Sequence, residues 1–187
     1  MKKLLFLLLV FCSGMLIFAV DFQVKEFDEL GFSMKVPADW KRVSLDSDGF
    51  QFNSQSAITF YYSKYPFDST GTAYEDYSTF TDDYRESILE STKEYYYDYF
   101  YDLYYDIEFT ESKYIQINSR TFLHVVFNGI YVDEYGDYYD DDMFEQSIYI
   151  VLIDGILNNF TFDSDMDYFY DSDETMISEM IKSIDFE

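Results

Sequence analysis

Cysteine occurs once in the 187-residue chain, at Cys12, inside an apolar N-terminal run. A disulfide framework, a thiol nucleophile and a Cys-based metal site are thereby excluded from everything that follows that run. Histidine is as scarce, His124 being the only one. Zinc sites of the usual His/Cys type need several such ligands and are excluded too. Basic residues are few: 12 Lys and Arg stand against 37 Asp and Glu. Phosphate binding rests on clustered Lys and Arg, so nucleic acid is excluded as a partner. No G-x-x-x-x-G-K-[ST], G-x-G-x-x-G or G-x-S-x-G occurs, which removes phosphate-cradling loops and the nucleophile elbow.

What is there begins with Met1-Lys2-Lys3 and the uninterrupted apolar run Leu4–Phe11. Two lysines and such a run are the n-region and h-region of a secretory signal. The reading is a signal over residues 1–19, cut after Ala19, followed by one domain over 20–187. An uncleaved anchor is the competing reading, since Leu4–Val20 is at the short edge of what crosses a bilayer. Phe11 before Cys12 argues against a lipoprotein.

Cleavage would leave 10 basic against 37 acidic residues, a formal net charge of −27. Apolar residues remain plentiful and strongly aromatic, so the chain can bury a core despite this charge. Export without disulfides suits a bacterial envelope. The charge favours cations, basic partners or simple solubility.

Along the chain, Phe32, Met34 and Val36 alternate with Ser33 and Lys35, the period of a half-buried strand that Pro37 ends. Asp46–Gly49 is a turn signal, and Ala57–Ser63 reads as the next strand. From about Thr72 the period becomes helical, with Phe80, Tyr84, Ile88, Ser91 and Tyr95 on one face. Thr72 with Glu75, and Thr79 with Asp82, offer starts resembling capping boxes. Tyr95–Asp106 is ambiguous: Asp98, Asp102 and Asp106 form a helical stripe, while the odd positions suit a strand. The reading is helix through about Leu103, then strand.

Strands are expected over Glu108–Ile117, Thr121–Val132, Phe144–Ile153 and Ile156–Phe162. Asn118-Ser119 and Asp154-Gly155 supply turns between them. Acidic stretches Asp133–Asp142 and Asp163–Glu174 read as surface loops. A final helix runs from about Asp173 to Ile184, with Met176, Ile177, Met180, Ile181 and Ile184 as its apolar face and Ser172 as its cap. The expected fold is α+β, an antiparallel β-sheet flanked by a long helix and a C-terminal helix.

The stretch Gly31-Phe32-Ser33-Met34-Lys35-Val36-Pro37-Ala38-Asp39-Trp40 resembles the opening of the Mog1/PsbP-like fold. That fold includes the photosystem II extrinsic PsbP proteins and the bacterial DcrB-type envelope proteins. The Asp154-Gly155 hairpin and the last helix, ending Ile181-Lys182-Ser183-Ile184, resemble its closing portion. The resemblance implies an envelope or lumenal accessory protein that binds other proteins and is not an enzyme. It carries no shared catalytic residues. Pro37 and Trp40 then read as fold determinants.

Candidate chemistry is sparse. His124 sits between Leu123 and Val125 in a strand, the place of a structural or surface histidine. Among 37 carboxylates nothing selects a glycosidase pair, so a carbohydrate-active or carbohydrate-binding protein is only an alternative. The sharpest constellation is a calcium loop: Asp163, Asp165, Asp167, Asp171 and Glu174 stand at positions 1, 3, 5, 9 and 12 of an EF-hand spacing. Phe169 would supply the carbonyl at position 7, while Tyr168 replaces the glycine of position 6. Asp133–Asp142 is a second acidic stretch with no recognisable spacing. The leading expectation is a non-enzymatic exported protein without a cofactor that binds another protein through aromatic and acidic surface. Calcium binding through Asp163–Glu174 is the first alternative.

Overall fold

The computed structural model describes residues 20–44, 49–53, 58–67, 76–101, 104–132, 138–165 and 171–186. The expected signal, the Asp46–Asp48 part of the turn, Ala57, and the Thr72–Glu75 helix start lie outside these residues. Among the described residues ten strands form two antiparallel sheets. The small one has the order β1-β2-β10, from Phe22–Phe27, Phe32–Pro37 and Asp185–Phe186. The large one has the order β3-β4-β5-β9-β8-β7-β6. Its strands are β3 Lys41–Ser44, β4 Gly49–Asn53, β5 Ile58–Pro66, β6 Tyr104–Ile117, β7 Arg120–Val132, β8 Tyr138–Ile153 and β9 Ile156–Asp165. Two α-helices among the same residues, α1 (Asp82–Phe100) and α2 (Asp171–Lys182), complete the expected α+β architecture.

Two tight hairpins set the register of the large sheet. Asn118 and Ser119 both take positive φ, 48° and 66°, as do Asp154 and Gly155 at 48° and 78°. Such turns match the right-handed twist of the strands they join. Asn118 does more than turn: its amide donates to the carbonyls of Lys182 and Ile184, tying the hairpin to the end of α2. Asp106, at φ 55°, lies where β6 slips register against β7, a bulge that a short polar side chain tolerates.

Strand alternation sends side chains to two covered faces. One face is aromatic, with Phe50, Phe52, Phe60, Tyr62, Phe160 and Phe162 in mutual contact on β4, β5 and β9. Phe32, Met34 and Val36 of the small sheet close over it, with Trp40 and with Met176, Ile177, Met180 and Ile181 of α2. Ile184 joins them but lies just past the helix end rather than in it. Because α2 starts at Asp171, Ser172 is within the helix and not its cap. The opposite face carries Leu123, Val125, Ile148, Ile150 and Leu152, and α1 lies across it.

The long helix differs from its expected placement in two ways. Thr81 is its N-cap, its hydroxyl accepting from the Tyr84 N–H, because Tyr77–Thr79 form a separate 3-10 turn capped by Asp76. Its inner face runs through Ile88, Leu89, Thr92, Tyr96 and Phe100, leaving Tyr84, Ser91 and Tyr95 exposed. In a tract with a tyrosine at almost every position, periodicity does not single out Tyr96, but its hydroxyl accepts from the Asn159 amide at 3.0 Å. The ambiguous tract resolves as helix to Phe100 and strand from Tyr104. The acidic stretch Asp133–Asp142 is not wholly a loop, since β8 starts at Tyr138 and Val132 pairs with Tyr138.

Tyr96→Phe removes the acceptor of a buried amide and should destabilise the protein by about 1–3 kcal/mol in urea unfolding. An unchanged midpoint would mean that Asn159 does not depend on this bond.

Candidate functional site

Alternation along β8 and β9 places two cavities on opposite faces of the large sheet. The first, about 410 Å³, lies beside α2 and is centred on His124. Its Nδ1 lies 2.8 Å from Glu111 Oε1 and its Nε2 lies 3.0 Å from Ser147 Oγ. The ring stacks on Tyr149 at 4.1 Å. Burial pushes the imidazole pKa down, outweighing the upward pull of Glu111, so the ring is neutral near pH 7. A carboxylate only accepts, so Nδ1 carries the proton and Nε2 accepts from the Ser147 hydroxyl. Lys113, 2.7 Å from Glu111, and His124 hold that carboxyl below its usual range. Glu145 is pushed up by burial and by Glu174, which reaches the same cavity from α2.

This Glu111–His124–Ser147 chain has the hydrogen-bond order of a serine hydrolase relay. Ser147, however, sits mid-strand in β8, which pairs on both sides there, with Val126 and Phe162. Backbone N–H groups around it are engaged in the ladders and do not converge on an oxyanion position.

The second cavity, about 420 Å³, opens between the C-terminal half of α1 and strands β5, β9 and β8. Tyrosines at 61, 65, 95, 96 and 99 wall it, and Gln146, Asn159, Thr161 and Asp163 form its polar side. A hydrogen-bond chain fixes part of that side: Thr161 Oγ1 donates to Asn159 Oδ1 at 3.1 Å, and Asn159 donates to Tyr96. Gln146 is buried with its Oε1 lacking any hydrogen-bond partner. Burial and the neighbouring Asp165 push the Asp163 carboxyl up to about 6. Burial, with Asp163 beside it, also raises the Tyr61 phenol.

From the rim of this cavity outward, α1 presents tyrosine rings to solvent, Tyr95 and Tyr99 at the rim and Tyr97 and Tyr101 beyond it. Tyr95, Tyr99 and Tyr101 remain 59%, 60% and 63% exposed. Tyr95 stacks on Tyr99 at 6.0 Å, and Tyr97 packs on Tyr101 at 5.7 Å.

The residues of the expected calcium loop are not gathered. Asp163 and Asp165 extend β9, and Asp163 faces the tyrosine cavity. Glu174 lines the His124 cavity on the other face of the sheet. Asp171 is the first residue of α2, while Asp167 and Phe169 lie outside the described residues. Among the described residues no group of three or more His, Cys, Asp or Glu side chains could hold a metal ion. The physical reason is that β9 continues to Asp165, so loop positions 1 and 3 are held in strand geometry instead of curling round an ion.

Sequence reading missed Gln146, Tyr61 and Tyr65. The signal for Gln146 was available: it is the polar member of the inward row Phe144, Ile148, Ile150 and Leu152. The tyrosines of β5 carried none, because strand alternation does not say which strand lies beside β9.

No protein-family model and no curated protein matches the chain. Among solved structures, cyanobacterial PsbP (CyanoP) from Synechocystis sp. aligns with a TM-score of 0.60 at 11% identity, over 90% of this chain and 94% of that one. The fold is PsbP-like, as the Gly31–Trp40 opening suggested. A Bacteroides thetaiotaomicron protein matches 84% of this chain at 16% identity and a TM-score of 0.49, and the chain spans 45% of that protein's length. A Pseudomonas aeruginosa protein of unknown function gives 0.35 at 10% identity, over 76% and 82% of the two chains.

Asp163 provides a pH signature. Its folded pKa, about 6, lies above the ordinary 3.8, so the folded state holds the proton more tightly. Stability contributed by this group is therefore full below pH 3.8 and is lost as pH rises through 6. Asp163→Asn should raise stability at pH 7 by about 2 kcal/mol and flatten the loss between those pH values. An unchanged slope in unfolding measured across that window would show that Asp163 is not desolvated.

Proposed function

We propose that this chain is an exported, non-enzymatic accessory protein that holds a protein partner against the tyrosine and carboxylate face of α1. The observation that carries this reading is the exposed pair Tyr97 and Tyr101 at the end of α1, on the outer face that also bears Glu90, Glu94 and Asp98, with exposed Tyr95 and Tyr99 beside it. Rigid aromatic rings with polar tips are enriched where proteins meet, and a monomer gains little by leaving several of them in water. With a formal net charge of −27 over residues 20–187, the favoured partner carries basic surface, which speeds encounter and makes the complex salt-sensitive.

Export rests on the lysine-led apolar run before Val20. No helix among the described residues is long and apolar enough to cross a membrane, which fits a partner-binding domain beside a membrane rather than within it. The PsbP-like fold is compatible with accessory proteins by analogy alone.

Immobilised protein incubated with envelope extract should retain one partner at low salt and release it at high salt. A Tyr97→Ser/Tyr101→Ser double variant, folded by circular dichroism, should lose it. Equal retention by the variant, or repeated recovery of nothing, would overturn the reading.

A further inference from the structure

The tyrosine cavity is chemically one-sided. Its buried atom without a partner, Gln146 Oε1, is an acceptor, and its one carboxylate, Asp163, lies beside a second acid, Asp165. Among the described residues no Lys or Arg lines the space. Tyrosine hydroxyls and the Thr161–Asn159–Tyr96 chain supply neutral donors, but among the described lining residues nothing carries positive charge to meet Asp163.

We propose that this cavity binds an alkyl cation, a guanidinium or primary ammonium whose head meets Asp163 and Gln146 and whose stem lies among Tyr61, Tyr65, Tyr95 and Tyr99. Ring faces carry the negative end of the aromatic quadrupole, so tyrosine walls favour a cation as well as an apolar stem. A cation also relieves the repulsion between Asp163 and Asp165 and supplies the donor that Gln146 lacks. A neutral sugar could donate to Gln146 but would bring no charge to offset Asp163 and Asp165. The His124 cavity is not equivalent, because Glu111 there is already bonded to Lys113 and His124.

The site does not depend on the protein-partner reading, since a free small cation fills it as well as a side chain does. Titration calorimetry at fixed ionic strength and neutral pH separates the cases, with N-acetyl-arginine amide as probe and N-acetyl-citrulline amide as its neutral isostere. The arginine probe should bind saturably at one site, and the citrulline probe at least about tenfold more weakly. Asp163→Asn should weaken the arginine probe by about tenfold or more, whereas Glu174→Gln, the same charge change in the opposite cavity, should leave it unaltered. Gln146→Met provides a second variant at the head group.

An arginine-containing hexapeptide that binds much tighter than the amide, and loses the gain in the Tyr97→Ser/Tyr101→Ser variant, places the cation on a protein. Equal affinities place it on a free small molecule. Absence of saturable binding, equal binding of citrulline, or equal losses from Asp163→Asn and Glu174→Gln would overturn the proposal.

Discussion

The hydrogen bond from Asn159 to the Tyr96 hydroxyl ties the buried side of α1 to β9. Tyr96 is the one fully buried tyrosine of α1, and the burial that raises its phenol pKa makes the bond costly to lose. That bond and the packing of Ile88, Leu89 and Phe100 on the sheet set which side of α1 faces inward. Tyr95 and Tyr99 then flank the seam beside β5, while Tyr97 and Tyr101 turn outward. Tyr96 also lines the adjoining groove toward Phe67 and Tyr77, so one ring forms a wall common to both.

Around that pillar the sheet distributes its side chains unequally. The face toward the small sheet is a dense stack of phenylalanines, in which Phe60 lies 4.8 Å from Phe162 and Phe27 lies 4.6 Å from Phe50. The face toward α1 is apolar beneath the first half of the helix; beneath the second, Phe127 packs on Phe100 while Gln146, Asn159, Thr161 and Asp163 meet tyrosines. A desolvated carboxylate and an unpaired amide oxygen both oppose stability, yet they occur together at one cavity. Local departures from good folding practice at a single place are the usual mark of a site kept for binding.

Elements governed by local chemistry could be read from sequence. Asn118-Ser119 and Asp154-Gly155 announce their turns because few residues tolerate positive φ, and α2 announces its face because Met176, Ile177, Met180 and Ile181 repeat at helical spacing. Elements governed by distant pairing could not. Ile58 pairs with Ser164 across 106 positions, and nothing near either residue says so. Linear spacing is equally blind to pairing: Asp163 and Asp165 satisfy an EF-hand pattern, yet β9 places them in a ladder opposite Gln146 and Phe144. The tyrosine cavity joins β5, β8, β9 and α1, so no stretch of sequence displays it.

Residue-resolved NMR of the protein titrated with N-acetyl-arginine amide at fixed ionic strength addresses the central claim, that recognition is concentrated at the seam between α1 and β9. Amide shifts should be confined to β5, β9, the middle of β8 and the second half of α1. Shifts scattered over the acidic surface, or centred on Glu145 and Glu174 across the sheet, would contradict it.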